Sequence, residues 1–360
     1  MSDVVFILGA GASKATGAPL MAEFLDVADD LVQLGLVERR RPSFDLVRRA
    51  RAALQPVHSK AELDIHNLEA VFGAFEMAQL LGKLGTLAEG DVGGLSNALI
   101  DVIVCTLEET IKFTLPRNPE AAGVFPPGEY SAFTDAIKQL RQGARPPRSV
   151  SILTFNYDVA VDWALEYAHI EFHYGLVPPA TSRVGLFKLH GSLNWRQCEK
   201  CRKLFTSPIG GYLNTHPWPL GMPDIRIHIG SDDPGMSCCG QRIVGRPAIV
   251  PPTASKGQHH QALSDVWRNA AAELRQAEYI FVMGYSLPET DSFFRQFFGV
   301  GSVGGPPLRE FWVCNPDATG EVEKRFRRLL GPGARERFRY RQLPFGAAVA
   351  EVINLFPRQP

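Results

Sequence analysis

The chain has 360 residues, 45% of them hydrophobic, and its 38 Lys and Arg residues balance 38 Asp and Glu residues. This composition predicts a globular protein with one large core or two smaller ones, and the zero net charge removes any bulk electrostatic argument for a nucleic-acid or membrane partner. No stretch reaches the roughly 18 consecutive apolar residues of a membrane span, and the start "MSDVV" does not fit a secretory signal, so we expect a cytoplasmic protein.

Short apolar runs recur along the chain and predict strands. They lie at residues 3–8, 150–155, 184–190, 278–284, 310–314 and 338–343. Helical stretches, such as residues 262–276, separate several of them. Apolar strands that alternate with helices are typical of a parallel sheet covered on both faces. The sequence therefore predicts an α/β fold built on a mostly parallel sheet with helices on both faces.

Two segments depart from this pattern. From about residue 20 to 145 the apolar residues follow helical spacing, most clearly at 65–81, where Leu68, Val71, Phe72 and Phe75 recur on one face. We predict a helical insertion at 21–149 within a main domain formed by residues 1–20 and 150–360. Residues 198–252 are rich in Gly and Pro and contain four of the six cysteines, which predicts a small irregular subdomain.

The first predicted strand runs into a loop of small residues, "GAGAS" at 9–13. Such residues let the backbone approach a ligand closely, and a helix that begins near Ser13 or after Pro19 would direct its N-terminal amides at a pyrophosphate. The dinucleotide fingerprint is incomplete, because Lys14 stands where its third glycine belongs, and the Walker motif does not fit. A packing turn is the alternative interpretation of these residues.

Polar residues also follow four later strands. Since the carboxyl ends of parallel strands meet at the edge of the sheet where ligands bind, we expect these residues to converge. Each has an alternative role, because an Asn can cap a turn, a His can be a satisfied core residue, and Gly-Tyr-Ser can be a bend. The residues are Asn156 and Asp158, His190 and Gly191, Gly284 and Ser286, and Asn315.

Taken in chain order, these segments resemble the sirtuin family, and specifically its divergent bacterial branch found in defence systems against phage. The family's Gly-Ala-Gly-x-Ser and Gly-Ile-Pro are matched by Gly9, Ala10, Gly11, Ser13, Gly17 and Pro19. Its Gln-Asn-x-Asp is matched by Asn156 and Asp158, with Phe155 in place of the glutamine. Its catalytic His-Gly is matched by His190 and Gly191, its Gly-Thr-Ser by Gly284 and Ser286, and its adenosine-side Asn by Asn315. The resemblance covers residues 1–20 and 150 to about 350.

The resemblance implies a Rossmann-like domain that binds NAD, with Asn156 and His190 as catalytic residues. In this reading Asn156 would hold the ribose hydroxyls or the attacking water, and His190 would remove a proton near neutral pH. The implied cofactor-binding residues are Gly9, Ala10, Gly11, Ser13, Pro19, Asn156, Asp158, Gly284, Ser286 and Asn315.

A departure from the family decides which reaction we expect. Lysine-deacylating sirtuins continue with Asp-Phe-Arg, whereas this chain has Leu20, Met21 and Ala22. Together with the helical insertion near the entrance, this favours water over an acyl oxygen as the attacking group. We expect an NAD hydrolase that releases ADP-ribose and nicotinamide. The resemblance implies a role in anti-phage defence by NAD depletion, with a homo-oligomer or a partner protein gating the activity. An NAD-dependent protein-lysine deacylase is the alternative.

The clustered cysteines predict a metal site. The sequence "CEKC" at 198–201 has the spacing of one zinc knuckle, and "CCG" at 238–240 offers a second pair about 37 residues later, at the place where sirtuins carry a zinc ribbon. We predict structural zinc on Cys198, Cys201, Cys238 and Cys239. The alternatives are reduced thiols in a loop, or a three-cysteine site completed by a residue such as His228. Cys105 and Cys314 are predicted to be buried apolar residues.

A basic run near the C-terminus offers a non-enzymatic hypothesis. Residues 323–341 hold eight basic side chains interleaved with aromatic and aliphatic ones, a pattern that a nucleic-acid-binding module could use. The simpler interpretation is a solvated helix followed by an edge strand. The presence of both His190 and Asn156 at separate strand ends favours catalysis, so nucleic acid is not directly expected as a partner.

Overall fold

The computed structural model describes residues 2–55, 60, 63–116, 123–144, 146–176, 183–216, 222–250, 263–288 and 291–356. The strands are β1 (Val4–Leu8), β2 (Phe113–Thr114), β3 (Val150–Thr154), β4 (Phe172–His173), β5 (Val184–Lys188), β6 (Trp195–Gln197), β7 (Leu204–Thr206), β8 (Asp224–Ile225), β9 (Ser237–Cys238), β10 (Gln241–Arg242), β11 (Tyr279–Met283), β12 (Glu310–Cys314) and β13 (Phe338–Arg341). The helices are α1 (Ala10–Ser13), α2 (Phe24–Gln33), α3 (Arg41–Ala53), α4 (Leu68–Leu81), α5 (Glu89–Thr110), α6 (Gly128–Lys138), α7 (Ala160–Tyr167), α8 (Ile209–Thr215), α9 (Ser264–Gln276), α10 (Ser292–Gly301), α11 (Glu321–Leu329), α12 (Pro332–Arg335) and α13 (Phe345–Leu355).

Seven parallel strands form the central sheet, in the order β13-β12-β11-β1-β3-β5-β4. The six predicted strands are all confirmed to within two residues at each end, and the two-residue edge strand β4 was not predicted. The chain leaves β1 towards β3 on one side, while β11 leads to β12 and β13 on the other side. The strand order therefore reverses between β1 and β11, the place where open parallel sheets bind ligands.

Each face of the sheet has its own hydrophobic core. Along β1, Val4, Phe6 and Leu8 belong to a core with α6, α7 and α13. Val5 and Ile7 belong to a second core on the opposite face, with α9, α10 and α11. The apolar runs of β1, β3 and β5 are fully buried because both sides of these strands are covered, which is why they do not alternate with polar residues. The edge strand β13 does alternate buried and exposed residues. The predicted α/β fold, a Rossmann-like parallel sheet with helices on both faces, is confirmed.

A third core lies in a helical lobe, defined here as α2 to α5. Helix α5 packs against α3 and α4, and among the described helices it alone has the length and hydropathy that a membrane span requires. It is the central helix of the lobe, and its Asp101 and Glu108 are buried and hydrogen-bonded. The described part of the segment predicted as an insertion is mainly helical, with the two-residue strand β2 inside it, and α6 packs on the sheet with α7 and α13. The domain limits of 1–20, 21–149 and 150–360 stay a prediction.

The helical lobe is joined to the cysteine-containing segment by hydrogen bonds to two buried carboxylates, those of Asp101 and Glu108. Arg246 donates two hydrogen bonds to Asp101, at 2.7 and 2.8 Å. Glu108 accepts from the backbone N–H groups of Gly230 at 2.6 Å and Ser231 at 2.9 Å. These contacts link sequence segments more than 100 residues apart, and nothing in the local sequence pattern predicted them. Short strands and α8 order the described parts of this segment, residues 198–216 and 222–250. Residues 217–221, 251 and 252 lie outside the described residues.

The helix predicted near Ser13 is only a single turn, and the helix predicted after Pro19 begins at Phe24. Helix α1 is a single turn that begins at Ala10, and Lys14–Thr16 continue as a short 3-10 turn. Gly17 ends that turn in the left-handed region at φ 103°, and a Cβ there would lie 2.2 Å from the carbonyl oxygen of Thr110. Pro19 then stands beyond this break, and the next helix, α2, begins only at Phe24. Helix α2 is therefore the helix expected after Pro19, and the contact of its N-terminal amides with a pyrophosphate stays a prediction.

Candidate functional site

The strand ends bring the predicted polar residues to one edge of the sheet. The paired strand termini, from one side of the sheet to the other, are Cys314, Met283, Leu8, Thr154 and Lys188. The loops that leave these positions therefore start in a single row. They carry Asn315, Gly284, Gly9, Asn156 and His190, as the sequence predicts.

A cleft of about 810 Å³ opens at this edge. The predicted residues that line it are Ala10, Gly11, Ser13, Pro19, Asn156, Asp158, His190, Gly284, Ser286 and Asn315. Gly9 is the one predicted cofactor residue outside the lining, and its carbonyl instead accepts a hydrogen bond from Asn156. The opposite wall comes from residues 18–22, Phe24 and the start of α4, including Asn67 and Glu69.

The glycines of the two central loops are required by contact between the loops. The backbone N–H of Gly11 donates to the carbonyl of Gly284 at 2.9 Å. A Cβ on Gly9 would lie 2.6 Å from Cα of Tyr285, and a Cβ on Gly11 2.8 Å from Cα of Gly284. Gly284 has φ 66°, and its Cβ would lie 2.3 Å from the nitrogen of Ala12. Close packing of the two loops is thus sufficient to explain why these three positions are glycine. Their contact with a ligand stays a prediction.

A buried hydrogen-bond hub lies directly behind the cleft surface, centred on the hydroxyl of Ser13. Its three partners are the Asn156 carboxamide nitrogen at 3.0 Å, the Asp158 carboxylate at 2.8 Å and the Tyr130 hydroxyl at 2.8 Å. Asn156 also donates to the carbonyl of Gly9 at 3.0 Å. Three sequence-predicted residues are therefore brought together, and Tyr130 on α6 joins them without having been predicted.

The hub determines what Asn156 offers a ligand. The carbonyl of Gly9 can only accept, so the atom facing it is the carboxamide nitrogen, and both hydrogens of that nitrogen are used within the protein. Asn156 is 8% exposed and lines the cleft. Its carbonyl oxygen is the group left for a ligand, and it accepts from a hydroxyl or a water molecule.

The imidazole of His190 is fixed by aromatic neighbours and by its backbone. Its ring lies 5.1 Å from the ring of Phe155 and 6.0 Å from that of Tyr157. The carbonyl of His190 accepts from Val250 at 2.7 Å. Gly191 follows at φ 80°, where a Cβ would lie 2.0 Å from the carbonyl oxygen of Ala248. The tight turn therefore leaves the ring at the cleft with little freedom.

A buried ion pair supports the site from below, and the sequence analysis missed it. Lys188 Nζ lies 2.8 Å from Asp162 Oδ2, with neither side chain exposed, and it also donates to the backbone carbonyl of Asp158. Tyr174 donates to the other Asp162 oxygen at 2.6 Å. Burial raises the pKa of Asp158, and the nearby Lys188 charge opposes that shift. A lysine at the end of an apolar strand, two residues before His190, was the available signal.

Arg325 on α11 is a second residue that the analysis did not single out. It lines the cleft, and its guanidinium donates to the carbonyl of Ser286 at 3.2 Å. Asn315 lies nearby in the lining, and its side-chain oxygen accepts from the backbone N–H of Asp317 at 3.0 Å. Arg325 belongs to the basic run at 323–341. Other basic residues of that run form surface ion pairs, which favours the solvated-surface interpretation: Lys324–Glu321, Arg327–Glu323, Arg339–Glu310 and Arg341–Glu351.

Four cysteine sulfur atoms form a cluster with metal-site geometry. They belong to Cys198, Cys201, Cys238 and Cys239, and all lie within 4.8 Å of one another. Tetrahedral zinc with Zn–S bonds of about 2.3 Å separates its sulfurs by roughly 3.8 Å, and the Cys201–Cys238 and Cys238–Cys239 sulfur distances are 3.6 and 3.7 Å. Adjacent cysteines can both contribute because Cys239 adopts φ 53°. His228 instead pairs with Glu109 at 2.9 Å.

The two remaining cysteines are buried, as predicted, and lie apart from the cluster. Desolvation raises the pKa of both thiols, Cys105 and Cys314, to about 12. They are therefore protonated small apolar residues, and neither has the character of a nucleophile.

No protein-family model and no curated protein matches this sequence. Solved structures similar over 98% of this chain include a Sir2 homologue in complex with NAD, at 14% identity with 88% of that chain covered and a TM-score of 0.43. A mutant of a Sir2 homologue bound to ADP-ribose matches at 15% identity, with 91% of that chain covered and a TM-score of 0.41. A Sir2 protein bound to a propionylated peptide matches at 12% identity, with 92% of that chain covered and a TM-score of 0.38. Similarity at this level is no evidence about the chemistry of the cleft.

Proposed function

We propose that this protein is an NAD hydrolase that cleaves NAD to ADP-ribose and nicotinamide. One observation carries the proposal: His190 and Asn156 line the same cleft as the 284–286 loop and Asn315, at the strand-order reversal of a parallel sheet. Such positions bind dinucleotides in related architectures. The cleft volume of about 810 Å³ lies in the upper part of the roughly 300–1,000 Å³ range for ligand pockets, which suits an elongated ligand.

The lining residues suggest how NAD would lie. Its two phosphates would sit over the loops at 10–13 and 284–286, close to Arg325, the guanidinium of which offers donors to an anion. The adenosine would extend towards Asn315, and the nicotinamide ribose towards Asn156 and His190. This placement puts the reacting carbon beside the two predicted catalytic residues.

Hydrolysis needs few groups, because nicotinamide carries positive charge in NAD and departs neutral. The glycosidic C–N bond breaks with its electron pair going to nicotinamide, and the ribose develops oxocarbenium character. Asn156 would accept a hydrogen bond from the ribose or from the attacking water. A water oxygen would then bond to the ribose carbon, and His190 would take the released proton and pass it to solvent. NAD is the substrate here, so no further cofactor takes part.

The cleft wall favours water as the nucleophile. Leu20, Met21 and Ala22, which stand in place of the deacylases' Asp-Phe-Arg, line the cleft together with Asn67 and Glu69 from the start of α4. In a deacylase an acyl-lysine peptide would have to pass this wall to reach the ribose. Incubation with NAD alone and with NAD plus an acetyl-lysine peptide distinguishes the two reactions. Free ADP-ribose supports the hydrolase, whereas O-acetyl-ADP-ribose would establish the deacylase.

The site assignment is tested by single substitutions. We expect His190→Ala and Asn156→Ala each to abolish nicotinamide release while the protein stays folded. His216→Ala and Asn214→Ala are matched controls, since both residues are exposed and lie outside the cleft lining. If both cleft variants cleave NAD at the wild-type rate, the assignment is wrong. Calorimetry with NAD at millimolar concentration provides a readout independent of turnover, and absence of any heat would refute NAD binding.

The remaining elements of the proposal concern metal, regulation and setting. The four-cysteine cluster would hold about one structural zinc ion per chain, because four thiolates in this arrangement suit that ion. An enzyme that destroys NAD must stay silent until triggered, so a homo-oligomer or a partner protein would control access to the cleft. A cytoplasmic role in anti-phage defence is what the sequence resemblance implies. A filter-binding assay that showed nanomolar, strongly salt-dependent affinity for nucleic acid would instead favour the non-enzymatic hypothesis.

A further inference from the structure

We infer that Tyr130, on helix α6, is a positioning residue that holds Ser13, and through it the Asn156 carboxamide, in the orientation needed for attack on NAD. The inference rests on the proposed function and adds to it a residue from a different part of the fold. It also changes the role of Ser13, which the resemblance placed among the residues that bind the cofactor. The argument begins with the hydrogen-bonding capacity of one hydroxyl group.

Ser13 Oγ has one hydrogen to donate and two lone pairs that accept. Its hydrogen goes to the Asp158 carboxylate at 2.8 Å, which can only accept when ionised. One lone pair accepts from the Asn156 nitrogen at 3.0 Å. The hydroxyl of Tyr130, at 2.8 Å, donates to the second lone pair. All three bonding positions of Ser13 are thus used inside the protein.

Burial makes Tyr130 a permanent donor in this arrangement. Its side chain is 0% exposed, and Ser13 is 1% exposed. Desolvation and the nearby Asp158 carboxylate raise the pKa of Tyr130 well above its usual value, so the phenol keeps its proton at every working pH. The Tyr130 ring lies 5.2 Å from the ring of Phe345 and belongs to the core beneath the sheet. The hydroxyl therefore has one fixed position.

A consequence follows for ligand binding. A phosphate oxygen could bind the Ser13 hydroxyl only by displacing Asp158, because that bond uses the single hydrogen. The cost of leaving a buried carboxylate without this donor makes such an exchange unfavourable. Ser13 thus orients Asn156, and the phosphates are left to the backbone of the loops and to Arg325. Tyr130 completes the set of donors that keeps Ser13 in place.

The test uses Tyr130→Phe, which removes one oxygen atom and keeps the ring packing against Phe345. Without that donor, we expect kcat for nicotinamide release to fall roughly tenfold, with KM for NAD within about twofold of wild type. Ser13→Ala should likewise lower kcat without raising KM, whereas a phosphate ligand would show the reverse split. Tyr212→Phe is the matched control, because that hydroxyl donates to Asp232 at 2.8 Å in the cysteine-containing segment, away from the cleft.

A second measurement does not depend on turnover. The side-chain amide protons of Asn156, identified by the loss of their signals in Asn156→Ala, should exchange with solvent about tenfold faster in Tyr130→Phe. If wild type releases no nicotinamide, the proposed function fails while this measurement still decides the positioning role. Unchanged amide exchange, a kcat within twofold of wild type, or a raised KM with unchanged kcat in Tyr130→Phe would each overturn the inference.

Discussion

Replacing Lys188 with Met should strongly destabilise the protein, because it leaves a buried carboxylate without its cation. Lys188 and Asp162 form an ion pair at 2.8 Å with 0% exposure of either side chain. Removing one member of such a pair costs about 3–5 kcal/mol, since the remaining charge is buried and uncompensated. Methionine is close to lysine in length and shape, so the substitution leaves little cavity. The loss of stability therefore reports the missing charge.

The expected change can be measured as a shift in melting temperature. With an unfolding entropy of about 2.1 cal/mol/K per residue, 1 kcal/mol shifts the Tm of a chain of 360 residues by roughly 1.3 °C. Lys188→Met should therefore lower Tm by about 4–7 °C. The double variant Lys188→Met with Asp162→Asn removes both charges and keeps an oxygen that accepts from Tyr174. It should therefore be less destabilised than the sum of its single variants by at least about 2 kcal/mol.

The controls decide between this explanation and a general sensitivity to lysine loss. Lys83→Met alters an exposed lysine and should leave Tm within about 1 °C of wild type. A loss of less than about 2 °C in Lys188→Met, or strict additivity in the double variant, would refute the reasoning. Either result would mean that water reaches the pair or that the surrounding dipoles already compensate Asp162.

Three further predictions concern the cleft and the cysteine cluster. Arg325→Ala should raise KM for NAD about tenfold with little change in kcat. Arg328→Ala alters an exposed position on the same helix and should leave both constants unchanged. Equal effects of the two substitutions would contradict a phosphate contact by Arg325. Because burial raises the pKa of Asp158, kcat should fall on the acid side at a pH above the ordinary Asp range, since protonation removes the charge that strengthens the hydrogen bond from Ser13. A pH profile that is flat down to pH 4 would exclude this. Metal analysis should find zinc near 1 per chain, lost in Cys201→Ser and kept in Cys105→Ala; wild type without zinc would remove the metal site.

The sequence pattern predicted most of the strands because they are apolar on both sides, a property of the residues themselves. The edge strand β13 instead alternates, with Arg339 and Arg341 exposed. The polar residues at strand ends could also be placed, since parallel strands share one edge and the row Asn315, Gly284, Gly9, Asn156 and His190 follows from that rule alone. The spacing of the cysteines likewise carried enough geometry to predict a cluster, and the four sulfurs do meet. These features depend on local pattern and a simple rule of topology.

The glycine loop shows where local pattern was ambiguous. Gly9 and Gly11 fit both a ligand loop and a packing turn, and only the approach of the 284–285 backbone supplies the reason for their lack of side chains. The helix expected near Ser13 is a single turn for a related reason. Gly17 must adopt a left-handed conformation beside the carbonyl of Thr110, a residue nearly 100 positions away, and this contact interrupts the helical path.

The supporting residues of the cleft were decided by tertiary structure. Tyr130 reaches Ser13 from a helix more than 100 residues later in the chain, and nothing about its sequence neighbours distinguishes it from other core tyrosines. Lys188 is informative only when Asp162 and Asp158 are known to lie beside it, because a buried charge needs its partner to be explained. Local sequence specifies the strands and the residues at their ends; which side chains then meet depends on long-range packing, which no short pattern encodes.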